Sequence, residues 1–172
     1  MSPGLAVLFL LPFPAGVIAA ALKDATSFTI PNWISGILVL CFFPAALAVH
    51  LPMGQLGLCL AAGLCALLLG IAMFALRWCG GGDAKLLAAS ALWMGWPGVL
   101  PFLAFTGLAG GALAATLMTA RGGMLAPYLA RGPAWLGRLL SPEEDLPYGL
   151  AIAAGALIAF PSSALSHALT MS

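Results

Sequence analysis

Two aspartates, Asp24 and Asp83, are the residues of this chain best suited to chemistry. They are two of five acidic residues in 172, and the other three, Glu143, Glu144 and Asp145, stand together in one polar stretch. Asp24 and Asp83 instead each flank a long apolar run. A carboxylate beside or inside a membrane is costly unless it has a partner or a task. Two carboxylates held close together cannot both ionise easily, so they share a proton. The ionised one can take a proton from water while the protonated one donates to a carbonyl oxygen. Such a pair titrates as one unit, with no prior assignment of base and acid.

The elements that position the pair follow from composition. The chain is 63% hydrophobic and only 6% charged, where soluble domains carry about 25% charged residues. It reads as an all-α integral membrane protein, one polytopic domain over residues 1–172. The net charge of +1 and the lack of a long basic stripe exclude a nucleic-acid partner. Cys41, Cys59, Cys65 and Cys79 form no C-x-x-C pair, so they read as small buried hydrophobes. Cys79 differs in abutting the Gly80-Gly81-Gly82-Asp83 turn. His50 and His167 fall near the outer face, away from the acids. No metal and no cofactor is expected.

A span needs about 20 apolar residues, and six stretches qualify, at about 4–22, 33–49, 56–76, 84–98, 101–118 and 148–168. The fourth and fifth are joined by a turn at Trp96-Pro97-Gly98-Val99-Leu100-Pro101. Six spans put Lys23, Arg77, Lys85, Arg121, Arg131 and Arg138, all the basic residues, on one side. The positive-inside rule makes that side cytoplasmic and leaves both termini on the outer, periplasmic side. Asp24 and Asp83, 59 positions apart, then come to the same cytoplasmic depth.

Local signals refine the two positions. Asp83 follows three glycines and precedes a helix-forming run, which places it at a helix N-terminus where the dipole favours a carboxylate. After Asp24 the chain runs to Ile30-Pro31-Asn32. Pro31 biases Ile30 to extended backbone, and Asn32 is expected to cap the helix starting at Trp33. Gly107, Gly111 and Ala115 lie at small-residue spacing on the fifth stretch and are expected to pack within the bundle.

Three motifs stand in order: an Asp, five residues and Ile30-Pro31-Asn32; then Gly80-x-Gly82-Asp83-x-Lys85-Leu86; then Pro147-Tyr148-Gly149-x-Ala151-Ile152-Ala153-x-Gly155. Together they resemble the type IV prepilin peptidases, membrane aspartyl proteases that trim type IV prepilins. The stretch Ala25 to Thr29 carries no charge, where members of that family commonly carry basic residues. The chain also lacks the paired C-x-x-C region of larger, N-methylating members. It is therefore similar to the short, single-activity branch serving tight-adherence (Flp-type) pili.

The resemblance implies catalytic Asp24 and Asp83, with Gly80, Gly82, Lys85, Pro31 and Asn32 supporting them. It implies removal of a short basic leader from prepilin or pseudopilin precursors at the cytoplasmic face of the bacterial inner membrane. It also implies the bilayer as a partner, the pilus assembly machinery as another, and no methyltransferase activity. The long stretch 119–147 mixes Arg with Leu, Tyr and Trp and reads as an interfacial cytoplasmic loop. Within it, Ser141-Pro142-Glu143-Glu144 has the form of a capping box. Glu143, Glu144 and Asp145 are candidates for contact with the basic leader. Two other readings use the same acids: a proton or cation relay in a transporter or channel, and a leader peptidase for archaellin-like or other substrates.

Overall fold

A computed structural model describes residues 3–122 and 146–171, and the described residues are all-helical. The helices are α1 (Pro3–Leu10), α2 (Pro12–Ser27), α3 (Asn32–Ala48), α4 (Met53–Ala75), α5 (Gly81–Gly122), α6 (Tyr148–Ala159) and α7 (Ala164–Met171). A 3-10 turn, Phe160–Ser162, joins α6 to α7. Four helices are long and apolar enough to cross a membrane: Ala6–Ser27, Met53–Ala75, Gly81–Arg121 and Tyr148–Thr170.

The count differs from the six expected stretches for two physical reasons. The stretch at 33–49 gives a helix of 17 residues, α3, which is apolar but short. The fourth and fifth stretches are two helices in unbroken succession, together α5, meeting at a kink at Gly95, where φ is 62° and ψ is −176°. The break precedes the Trp96–Pro101 turn read from the sequence, and helical bonding resumes through both prolines. Only glycine takes that backbone readily. A Cβ at Gly95 would also lie 2.7 Å from Cys59 Sγ and 2.8 Å from Ala164 Cβ.

α5 folds back at this break. Asp83, Ala84 and Leu87 border the same cavity as Gly107, Gly110 and Gly111. In a straight helix residues 83 and 111 would stand about 42 Å apart at 1.5 Å per residue. The first half of α5 packs on α4, where a Cβ on Gly70 would meet Ala84 at 2.9 Å and one on Gly63 would meet Leu92 at 3.2 Å. The second half packs on α6, through Gly110 against Tyr148 and Gly155 against Thr106. Absent side chains let these backbones approach, as helix contacts in lipid require.

Two other expected boundaries shift. α2 runs five residues past the expected end at 22, closing on Phe28 in the left-handed region with its N–H on Asp24 O at 2.8 Å. Residues 119–122, expected to open the interfacial loop, are the last turn of α5. The rest of that loop, 123–145, lies outside the described residues.

The aromatic part of the core sits away from the acids, Trp93 standing ten residues, about 15 Å of helix, beyond Asp83 on α5. Phe13 stacks on Trp93 at 5.1 Å and on Phe160 at 5.0 Å, and Phe42 meets Trp93 edge-on at 6.0 Å. The buried indole of Trp93 donates to Leu38 O at 2.9 Å, satisfying the one polar atom that such a ring carries. Large apolar side chains such as Leu40, Leu47 and Leu108 point outward and are at least 70% exposed. In water that surface would aggregate; in lipid it is the natural exterior.

Candidate active site

Asp24 and Asp83 are the acidic residues among those described, and both are buried, 5% and 9% exposed. They line one cleft of about 950 Å³ with Ser27, Thr29, Arg77, Gly80 and Tyr148. The fold therefore brings the two carboxylates from 59 residues apart into one cleft.

Each carboxylate is held by a backbone amide at a helix N-terminus. Asp83 lies in the first turn of α5 and accepts from the Gly80 N–H at 3.0 Å. That is the reciprocal half of a capping box, a third-position acid reaching back to the capping residue. Asp24 lies in the last turn of α2 yet serves another helix: it accepts from the Gly149 N–H, in the first turn of α6, at 2.7 Å. Both contacts satisfy an amide that helix geometry leaves unpaired, and both put a negative charge at a positive dipole end.

Glycine at 149 is a steric requirement. A Cβ there would sit 2.8 Å from Asp24 Oδ2 and 2.9 Å from Ile30 Cδ1. Sequence reasoning placed Gly149 inside the third motif without giving it a part in the site. Its signal is visible only once α6 is known to end against α2.

The supporting residues knit the acid loops together. A Cβ on Gly82 would meet Ile30 Cβ at 3.0 Å, so the turn before Asp83 packs on the chain after Asp24. Lys85 Nζ donates to Asn32 Oδ1 at 2.8 Å. This corrects the expected role of Asn32. Pro31, with extended φ −62° and ψ 136°, precedes the helix, and Asn32 is its first residue with no capping bond from the residue before it. Its side chain is committed to Lys85 instead.

A second, apolar groove of about 420 Å³ meets the acid cleft at Asp83, Cys79 and Tyr148. Gly107 and Gly111 line it, and a Cβ on either would meet nothing within 4 Å. These residues were expected to pack inside the bundle, but they border open space. Cys79 stands at the seam, and burial first, then the charge of Asp83, pushes its thiol pKa up. Glu143, Glu144 and Asp145 lie outside the described residues. Among the described residues, no three His, Cys, Asp or Glu side chains come together as a metal would require.

Residues 11–115 match the type IV leader peptidase family. No curated protein and no solved structure matches the chain.

Proposed function

The chain belongs to the type IV leader peptidase family, and we propose that it is an aspartyl endopeptidase that removes the basic leader of type IV, Flp-like prepilins at the cytoplasmic face of the inner membrane. The observation that carries the reading is the pair Asp24 and Asp83, both buried and both lining one cleft. One carboxylate takes a proton from water as the oxygen attacks the scissile carbonyl carbon. The other, protonated, donates to the carbonyl oxygen, and the proton then passes to the leaving nitrogen as the C–N bond breaks.

The meeting of the two cavities supports the substrate class. The cleft holding Asp24 is bordered by Ser27, Thr29 and Arg77, while the groove beyond Asp83 is bordered by Leu69, Leu87, Leu103 and the open glycines. A polypeptide that changes from polar leader to apolar helix would lie with its boundary at the acids. Six membrane crossings, α5 contributing two, keep every basic residue on the acid-bearing side. The absence of a C-x-x-C pair favours the single-activity, Flp-type branch.

The test is co-expression with a pilin-like precursor from the same genome, following leader removal by mass. Asp24→Asn and Asp83→Asn each lower cleavage about 10²–10⁴-fold while the protein accumulates in the membrane. Cleavage by either variant at the wild-type rate overturns the mechanism.

A further inference from the structure

We propose that the cleft between α3, α4 and α5, on the face of Lys85 turned from the acid pair, binds one anionic phospholipid, with its phosphate at Lys85 and Ser35 and an acyl chain along the apolar floor. The cleft holds about 750 Å³ and borders neither aspartate. The proposal does not depend on the peptidase reading.

The cleft has a polar end and an apolar length. Asn32, Ser35 and Lys85 form the polar end. Asn32 and Ser35 are three apart on α3, so they share a face, and Lys85 bonds across to Asn32. That bond uses one of three ammonium protons, leaving two donors on an exposed side chain. Ser35 supplies the second, independent sign of a ligand. It is 6% exposed and lines the cleft, and its Oγ has no hydrogen-bond partner among the described residues. A buried hydroxyl left unpaired costs free energy; the Oγ is sealed from solvent as placed, and a turn about χ1 toward the cleft would let a phosphate ester oxygen satisfy it.

Below this end the lining turns apolar. Gly36, Ala88, Leu64 and Leu92 continue the same faces. Lys85 and Leu92 are seven residues apart, about 10.5 Å along the helix at 1.5 Å per residue, which is the order of head then chain in a lipid. Gly36 leaves a gap, since a Cβ there would meet nothing within 4 Å. Leu64 faces outward and is 58% exposed, so the cleft opens on the side that the bilayer occupies. A cation beside an unsatisfied hydroxyl fits an anionic phosphodiester better than a zwitterionic head, whose own ammonium would meet Lys85.

The full-length protein is purified in detergent and titrated with phosphatidylglycerol or phosphatidylcholine, and bound lipid is read by native mass spectrometry. One phosphatidylglycerol per chain is retained in preference to phosphatidylcholine. Lys85→Met weakens retention about fivefold, the value of one Lys near an anionic surface, and Lys85→Arg restores it. Gly36→Leu, whose Cβ would meet nothing within 4 Å and whose branch would enter the gap, removes retention while thermal unfolding in detergent alone is unchanged. Equal retention of both lipids, or wild-type retention by Gly36→Leu, means a boundary lipid only and overturns the proposal. Displacement of the lipid by millimolar inorganic phosphate, or a dimer in place of the lipid-bound monomer, overturns it as well.

Discussion

The two ends of the helix bundle are built on different principles. At one end Asp24, Asp83, Gly149, Gly80, Asn32 and Lys85 are joined by single hydrogen bonds between helix termini, and open clefts surround them. At the other, Phe13, Phe42, Trp93 and Phe160 stack against one another, and Gly95 is closed in by Cys59 and Ala164. Aromatic packing tolerates no gap and stabilises broadly. Directional, charge-assisted bonds to carboxylates are few here, and each fixes position as well as adding energy. The molecule concentrates its cohesion far from its chemistry, which leaves room at the acids for a substrate.

If that division holds, variants at the two ends fail in different ways. The largest effect is at the acids: Asp24→Asn or Asp83→Asn lowers the cleavage rate about 10²–10⁴-fold. Thermal unfolding stays near wild type, because an amide oxygen can still accept from Gly149 or Gly80. Trp93→Ala is the counterpart, costing about 3–5 kcal/mol by cavity formation while the surviving folded protein cleaves normally. Loss of activity without loss of stability in Trp93→Ala would erase the distinction.

Gly149→Ala falls between the two. Its methyl would press on Asp24, and a misplacement of about 1 Å costs on the order of 10²-fold in rate. Folded protein with unchanged rate would show that the Gly149 contact does not position Asp24. The smallest effect is at Cys79, whose thiol pKa is raised by burial and by the charge of Asp83. A raised pKa means less thiolate at a given pH, so alkylation is slow at neutral pH and rises at alkaline pH. Asp83→Asn removes one cause of the shift and speeds alkylation of Cys79 at fixed pH, read by peptide mapping. An unchanged rate would place the two groups too far apart to interact.

What the sequence made legible follows the same division. Asp83 at a helix start was readable because glycines and helix formers are neighbours along the chain. The meeting of Asp24 and Asp83 was readable from charge placement, a property of the whole chain. Asn32 was misread as a cap because its partner, Lys85, lies 53 residues away, and no local pattern announces that choice. Gly149 has the same difficulty at 125 residues. Gly95 was overlooked because Pro97 and Pro101 mark a turn more loudly, yet Pro97 falls in the first turn after the break, where its missing N–H costs nothing. Gly107 and Gly111 carry the pattern of internal packing, and only the path of α5 shows that no described helix lies against them.

The break at Gly95 brings both halves of α5 onto the groove beside Asp83, which α4 and α6 complete. Mechanically α5 is a pair of tongs with its pivot in the aromatic end. Asp83 lies twelve residues from the pivot, an arm of about 18 Å. A tilt of about 5° on that arm moves its tip by about 1.6 Å at 1.5 Å of arm per residue, a large fraction of a hydrogen-bond length. The missing side chain at Gly95, where a Cβ would meet Cys59 and Ala164, thus governs the position of Asp83 from a distance, and the groove width there is decided where no substrate reaches.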